Sequence, residues 1–93
     1  ISHAKSMAME LAPKGIRVNC VAPGSIDFPG GFWENVHQNQ PAFYDMVVST
    51  IPFGRMGRPE EVANAVVFLA SGKASWVSGV TLAVDGVQHK GNL

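Results

Sequence analysis

The chain has 93 residues, of which 46% are hydrophobic and 15% are charged, a composition typical of a folded globular protein rather than a disordered one. Seven basic and seven acidic residues cancel, so the chain has neither a cationic field for nucleic acid nor a polybasic run for an anionic membrane surface. No stretch approaches the roughly 20 apolar residues that span a bilayer, and no signal-peptide pattern is present, so we predict a soluble protein that is not exported.

The first twelve residues predict an amphipathic helix. Apolar side chains recur there at helical spacing, at Ile1, Ala4, Ala8 and Leu11. Pro13 then breaks the pattern, and Gly15 can take the left-handed conformation that ends helices. The start of the helix lacks a good capping signal, so we predict that the helix extends upstream of residue 1.

The next segment, residues 16–22, predicts a short parallel strand that is buried on both faces. Its apolar residues are Ile16, Val18, Cys20, Val21 and Ala22, and only Arg17 and Asn19 interrupt them. Cys20 is the single cysteine, and no His or Cys stands at catalytic or metal-ligand spacing from it, so we predict a small buried thiol. A chain without disulfides suits a reducing, cytoplasmic compartment.

Residues 27–58 predict a long insertion that contains two short helices. A glycine pair at 30–31 opens it, a polar run occupies 35–40, and Pro41 begins a second apolar stretch. Insertions of this length in compact domains are usually functional lids or disordered segments.

A second clear helix is predicted from Pro59, with Glu60 and Glu61 in the first turn, where the helix dipole favours carboxylates. It ends at Gly72, and its predicted buried stripe consists of Val62, Ala65, Val66 and Leu69. A last strand follows, before an Asp-Gly turn at 85–86 and a polar tail, and its alternating apolar residues are Val80, Leu82 and Val84.

This order of helix, strand, helices and strand predicts an α/β unit with two parallel strands and a right-handed helical crossover. Pro23 and Gly24 follow the first strand at the carboxyl edge, where ligands bind in open α/β sheets. Two parallel strands need cover on both faces, so we expect the rest of the sheet to lie upstream of residue 1 or to come from another chain.

Five segments occur in order along the chain: KSMAMELA (5–12), GIRVNCVAPG (15–24), PFGRMGRPEEVA (52–63), VVFLAS (66–71) and VDG (84–86). Together they resemble the C-terminal third of the classical short-chain dehydrogenase/reductase family. The resemblance implies the C-terminal part of a Rossmann-like, doubly wound parallel sheet. Residues 1–93 would then be the C-terminal segment of a single dinucleotide-binding oxidoreductase domain, with residues 27–58 as its substrate lid.

The resemblance also implies a nicotinamide cofactor, NAD or NADP, without indicating which. In relatives, the turn that matches Pro23, Gly24, Ser25 and Ile26 lies against the nicotinamide ring, and the main chain at Ile26 bonds the carboxamide. Glycine lets the backbone approach a flat ring closely, and proline fixes the turn without needing a donor. An ordinary strand-ending turn is the alternative interpretation of the same residues.

Two positions depart from the family pattern. Phe28 stands where relatives usually have a Thr whose hydroxyl helps to hold the cofactor, so Ser25, Asp27 or the main chain must replace that bond, or the cofactor is held less tightly. Val87 replaces the second glycine of a terminal Asp-Gly-Gly, and a Val with a positive φ would be strained there.

The family's glycine-rich loop and its catalytic Ser, Tyr and Lys are expected upstream of Ile1, so we assign no catalytic residue within these 93. Lys5 has no Tyr four residues before it and matches a later, structural lysine, and Tyr44 has no Lys four residues after it. No metal site is expected, because the histidines lack ligand spacing. The resemblance implies hydride transfer between nicotinamide and a carbonyl or secondary alcohol, as in the 3-oxoacyl-carrier-protein reductases.

Within the lid, the candidates for substrate binding are Phe32, Trp33, Phe43 and Tyr44. The alternative is that these side chains are simply the packed faces of short helices. His37 could assist a substrate, although a solvated side chain is the plainer interpretation. Arg55 and Arg58 could meet an anionic carrier or the cofactor phosphates, but we favour a role in anchoring the neighbouring turn to carbonyl groups.

The resemblance implies a homo-oligomer as well, because the last strand and the preceding helix form a subunit interface in relatives. The competing hypothesis is a non-catalytic, truncated or proteolysed fragment that acts only in assembly.

Overall fold

The structure of the protein, a computed structural model, describes residues 3–90. Its helices are α1 (His3–Leu11), α2 (Phe32–Asn39), α3 (Pro41–Ser49) and α4 (Pro59–Ala70), and its strands are β1 (Cys20–Pro23) and β2 (Thr81–Val84). The strands pair in parallel, with Cys20 opposite Thr81, and α4 lies on the crossover between them. The predicted α/β class is confirmed. None of the helices within the described range is long and apolar enough to cross a membrane.

Helix α1 ends close to the predicted position. A short 3₁₀ turn, Ala12–Lys14, follows it, and Gly15 closes that turn with a left-handed φ of 74°. Ala8 is buried, because it faces the loop before β2, where a Cβ atom on Gly79 would lie 3.3 Å from the Ala8 methyl group. The predicted contribution of Ile1 lies outside the described residues.

Strand β1 is shorter and more exposed than predicted. It covers Cys20–Pro23 rather than residues 16–22, and none of its residues is buried. The prediction of a buried Cys20 is wrong, because the thiol is exposed. In the described part of the chain β1 pairs only with β2, so the cover that a larger parallel sheet would give to its faces is missing.

The polar residues before β1 hold this segment to the end of α4 and to the loop before β2. The Arg17 guanidinium donates to three main-chain carbonyl groups, those of Leu69 (2.7 Å), Val77 (3.2 Å) and Ser71 (3.3 Å). Asn19 donates to the Val77 carbonyl at 3.0 Å and accepts the Val80 N–H at 3.2 Å. Side-chain bonds thus take the place of a regular ladder here, which explains the short strand.

Helix α4 begins at Pro59 as predicted, but its buried face is narrower. Of the predicted stripe Val62, Ala65, Val66 and Leu69, only Leu69 is buried. Val66 is 48% exposed, and its neighbours Val67 and Phe68 are 66% and 46% exposed. The helix contacts two four-residue strands, so most of its apolar surface has no cover from the described residues.

Helices α2 and α3 confirm the two short helices predicted within residues 27–58. They pack on each other, and Val36 of α2 is buried. The chain after α3 returns to the sheet, where Ile51 and Met56 are buried and the Phe53 N–H donates to the Gly86 carbonyl at 3.2 Å. The insertion is therefore attached to the turn beyond β2 at its C-terminal end.

Candidate functional site

The turn of residues 23–26 begins where β1 ends and lies against the turn that follows β2. The Gly24 N–H donates to the Val84 carbonyl at 3.0 Å. A Cβ atom at position 24 would lie 2.7 Å from the Asp85 Cβ and 2.7 Å from the Gln88 Oε1, which is closer than such atoms can approach. Glycine is therefore required here by the neighbouring chain segment itself.

Gln88 holds Ser25 through two hydrogen bonds. Its Oε1 accepts the Ser25 N–H at 2.9 Å, and its Nε2 donates to the Ser25 Oγ at 2.9 Å. Asp85 supports the turn that carries Gln88, because its carboxylate accepts the N–H groups of Val87 at 3.0 Å and His89 at 2.9 Å. The sequence pattern does not identify Gln88. The feature of the sequence that could have indicated Gln88 is its position just beyond the carboxyl end of the strand that pairs with β1.

Val87 has a left-handed backbone with a φ of 68°, so the predicted strain is confirmed. A β-branched residue in this region of φ/ψ space costs on the order of 1–3 kcal/mol. The strained residue immediately precedes Gln88, so the strain lies in the turn that grips Ser25.

Ile26 presents an unpaired main-chain donor at the end of the turn. It forms a parallel bridge with Gly57, in which the Gly57 N–H donates to the Ser25 carbonyl and the Asp27 N–H donates to the Gly57 carbonyl, each at 2.9 Å. The residues that flank Ile26 make these bonds, so its own N–H is directed elsewhere. No acceptor among residues 3–90 bonds the Ile26 N–H. Within the turn, the Ile26 N–H is therefore the one main-chain donor that residues 3–90 leave without an acceptor.

Three open pockets meet at this turn. One, of about 300 Å³, lies between Ser25, Ile26 and the turn that follows β2, and the other two differ in polarity. An almost wholly apolar groove of about 450 Å³ is lined by Pro23, Ile26, Phe28, Pro59, Val62 and Ala63. A more polar pocket of about 390 Å³ includes Ser25, Asp85, Gln88 and His89. The turn thus has an apolar side and a polar side, which suits a flat ring that carries polar substituents.

The Phe28 side chain, which stands where relatives usually have a Thr, packs on a neighbouring residue and makes no hydrogen bond. A Cβ atom on Gly31 would lie 2.8 Å from the Phe28 ring, so the ring covers that glycine. Gly30 between them has a φ of 80°, and the Gly31 N–H closes the turn on the Phe28 carbonyl at 2.9 Å. The Ser25 and Asp27 side chains, which could replace the Thr hydroxyl, already accept hydrogen bonds within the chain.

The four side chains of residues 27–58 that the sequence predicts to bind substrate do not form one group. Phe32 and Trp33 meet edge to face with their ring centroids 5.0 Å apart, and Trp33 stacks on Phe43 at 6.2 Å. These three make a continuous aromatic row, at one end of which Phe32 is 68% exposed. Tyr44 lies apart from the row and is bonded within the chain.

Tyr44 links α3 to the end of the turn. Its hydroxyl donates to the Asp27 Oδ2 at 2.8 Å, and its ring stacks on that of His37 with 4.1 Å between centroids. Partial burial, the bond to Asp27 and the charges of Asp27 and Asp45 raise the pKa of Tyr44 to about 12. The hydroxyl stays protonated at neutral pH, so it acts as a donor and not as a general acid or base, which needs a pKa near the working pH.

Arg55 anchors its own turn to the start of α4. It donates to the Met56 carbonyl at 3.0 Å and forms a bidentate pair with the Glu61 carboxylate at 2.8 Å. Glu61 also accepts the Arg58 N–H at 2.9 Å, which caps the helix. These bonds lower the pKa of Glu61 to about 2 and raise that of Arg55. Arg55 is therefore engaged within the chain, as the favoured interpretation of the sequence expects.

Among residues 3–90, no three His, Cys, Asp or Glu side chains are placed to hold a metal ion. Lys5, on α1, packs across the loop before β2, where its side chain limits the space above Gly79.

Known proteins are similar to this chain over nearly its whole length. The family model described as enoyl-(acyl carrier protein) reductase matches residues 1–87. The uncharacterized oxidoreductase YmfI of Bacillus subtilis is 46% identical over 88 residues, which are 95% of this chain and 34% of YmfI. The 3-oxoacyl-(acyl-carrier-protein) reductase FabG of Buchnera aphidicola is 49% identical over 86 residues, 92% of this chain and 33% of that protein.

Solved structures agree in fold. YwfH, an NADPH-dependent reductase involved in bacilysin biosynthesis, superposes with a TM-score of 0.82 at 36% identity, over 96% of this chain and 36% of YwfH. A 4-hydroxyisoleucine dehydrogenase complexed with NADH also has a TM-score of 0.82, at 29% identity, over 96% of this chain and 35% of that one. The chain spans about a third of the length of the curated relatives it matches. On the matched family model, these relatives and the shared fold, the chain belongs to the short-chain dehydrogenase/reductase family.

Proposed function

We propose that residues 1–93 are the C-terminal segment of a single dinucleotide-binding oxidoreductase domain, which transfers hydride between a nicotinamide cofactor and a carbonyl or secondary alcohol. One observation carries the proposal. The turn of residues 23–26 is held by Gln88 and Gly57, and yet the Ile26 N–H has no acceptor within the described chain. Relatives that are named as an oxidoreductase and a reductase support the same class of reaction.

The residues of the turn fit the nicotinamide end of NAD or NADP. Pro23 and Ile26 line an apolar groove, and the Ile26 N–H can donate to a carboxamide oxygen. Gln88 fixes Ser25 beforehand, which lowers the entropic cost of ordering the turn on binding. The bound cofactor supplies the hydride chemistry, and these residues orient it. Either cofactor is compatible with the proposal, since the solved relatives are described with NADPH and with NADH.

Residues 27–58 are proposed as the substrate lid. The row of Phe32, Trp33 and Phe43 supports an apolar substrate surface, and Tyr44 contributes the face of its ring rather than its hydroxyl. A 3-oxoacyl carbonyl is the favoured substrate class, because FabG reductases are among the relatives. Proton transfer is assigned to the family's Ser, Tyr and Lys upstream of Ile1, since Tyr44 and Lys5 lack the required spacing.

A second candidate, assembly without catalysis, is favoured by the exposed apolar surface of α4. Val66, Val67 and Phe68 are 48%, 66% and 46% exposed, and burial of such a surface against a second copy would stabilise a homo-oligomer. Both candidates predict an oligomer, but only the first predicts cofactor binding. The exposed single thiol of Cys20 supports a reducing, cytoplasmic compartment in either case.

Cofactor binding by the intact protein separates the two candidates. We expect NADH or NADPH to bind the wild type, followed by nicotinamide fluorescence, and to bind the matched control Ile26→Val, which keeps the N–H. Ile26→Pro removes that donor, and its affinity should fall by about tenfold, because an unmade hydrogen bond in a desolvated site costs on the order of 1–3 kcal/mol. A folded, oligomeric wild type that binds neither cofactor would favour assembly alone.

A further inference from the structure

One side-chain hydrogen bond joins helix α3 to Asp27, the residue that directly follows the turn of residues 23–26. Tyr44 lies in α3, whereas Asp27 directly follows Ile26, and the Tyr44 hydroxyl donates to the Asp27 Oδ2 at 2.8 Å. The backbone of Asp27 is itself fixed, because its N–H donates to the Gly57 carbonyl at 2.9 Å. The bond therefore connects a helix of the lid to a peptide that is one residue away from Ile26.

The Tyr44 ring is held in place as well. The His37 ring, from α2, stacks on it with 4.1 Å between centroids and 15° between planes. Tyr44 belongs to α3 and its ring contacts α2, so this one residue connects both lid helices. A donor on a ring that is held in this way loses little rotational freedom when it bonds, and a carboxylate acceptor makes the bond stronger than one between neutral groups.

We propose that Tyr44 is a positioning residue that couples the lid to the nicotinamide-facing turn, because its bond to Asp27 makes the placement of α2 and α3 and the placement of the Ile26 amide favour each other. This inference rests on the proposed function. The coupling is reciprocal. If bound cofactor favours the observed placement of α2 and α3 by a given factor, that placement raises cofactor affinity by the same factor.

Two further observations support this role. The next residue, Phe28, bonds Gly31 through its main-chain carbonyl, and its ring packs on that glycine, so Asp27 supplies the side-chain hydrogen bond to α3. The ordinary phenol pKa of 10.0 already leaves Tyr44 protonated at neutral pH, and burial and the Asp27 carboxylate raise that pKa to about 12, so the hydroxyl remains a donor.

The test measures hydrogen exchange of residues 41–49 in the intact protein, with and without NADH or NADPH, and cofactor affinity in parallel. The variants are Tyr44→Phe, Asp27→Ala and the double variant. Ser49→Ala is the matched control for a lost hydroxyl on α3, since that hydroxyl bonds only the Met46 carbonyl of the same helix. Asp45→Asn is the control for a lost carboxylate beside Tyr44.

In the wild type and both controls, we expect cofactor to slow exchange in residues 41–49. In Tyr44→Phe and Asp27→Ala that slowing should be lost, and cofactor affinity should fall by about three- to tenfold. The double variant should be no weaker than either single variant, because both changes remove the same bond. A residue that only stabilises the fold would leave the response of the lid to cofactor unchanged.

Equal slowing and equal affinity in Tyr44→Phe and the wild type would overturn the coupling and leave the proposed function standing. A wild type that binds neither NADH nor NADPH would overturn both. If Asp27→Ala fails to fold, as judged by circular dichroism, Tyr44→Phe decides the question, because it removes a single oxygen atom from a ring that keeps its packing.

Discussion

The turn of residues 23–26 and the lid of residues 27–58 meet at Asp27, but they are held in different ways. The turn is held mainly through its own main-chain groups: the Gly24 N–H bonds the Val84 carbonyl, and the Gly57 N–H and the Gln88 side chain bond the main chain of Ser25. The lid helices depend on side chains, chiefly ring stacking and the bond from Tyr44. A turn held in this way keeps most of its bonds when its own side chains change, whereas α2 and α3 lose contacts when theirs change.

The largest effect on stability is expected from Gly24→Ala, which changes a residue of the turn itself. Its Cβ would lie 2.7 Å from the Asp85 Cβ and 2.9 Å from the Asp85 Cα, so the backbone must move, and we expect a loss of about 2–3 kcal/mol in the free energy of unfolding measured in urea. Gly72→Ala is the control, because no atom lies within 4 Å of its Cβ position. Similar losses at both positions would contradict the close contact with Asp85.

Gln88→Ala tests whether the two hydrogen bonds from Gln88 to Ser25 stabilise the turn. Both bonds to Ser25 disappear, so we expect a loss of about 1–2 kcal/mol in unfolding free energy, together with weaker cofactor binding. His89→Ala serves as the control, since His89 contributes its main-chain N–H to Asp85, and that group is kept. If the two variants had the same unfolding free energy, the Gln88 side chain would contribute nothing to the stability of the turn.

Val87→Gly should have a smaller effect of opposite sign. Glycine adopts the observed φ of 68° without strain, and the relief exceeds the entropy that glycine loses on folding, so we expect a gain of about 1 kcal/mol. Val67→Gly, at a helical position that is 66% exposed against 55% for Val87, should instead destabilise the protein. Urea unfolding of both variants checks the sign, and a loss at position 87 would mean that the turn is not strained.

The smallest effect is the loss, at alkaline pH, of the stabilisation that the Tyr44 hydroxyl gives to the lid. The pKa of Tyr44 in the folded protein, about 12, lies above the ordinary value of 10.0, so the stabilisation is fully present below pH 10 and is lost as pH rises through 12. The difference in unfolding free energy between the wild type and Tyr44→Phe should shrink over that interval. Asp27, Asp45 and His37 face the phenol and are common to both proteins. A difference that stays constant to pH 12 would show that the phenol is not bonded as described.

Local patterns predicted the helices well. Pro59 and the two glutamates mark the start of α4, and Gly15 marks the end of α1 through its left-handed φ, because caps and breakers act over a few residues. Burial was predicted less well. Periodicity identifies which face of α4 is apolar, but only the neighbouring elements decide whether Val66 is covered, and the described strands are too short to cover it.

The sequence by itself determined the order of elements, the parallel pairing of the two strands, the family, and the turn of residues 23–26 as the place to look for a site. These properties follow from short-range rules of backbone geometry and from motifs that are continuous in the chain. Only the tertiary structure decided that Gln88 bonds Ser25 across 63 residues, that Tyr44 bonds Asp27 across 17, and that no described residue accepts the Ile26 N–H. Hydrogen bonds between distant residues depend on where the whole chain places their ends, and no local pattern encodes that placement.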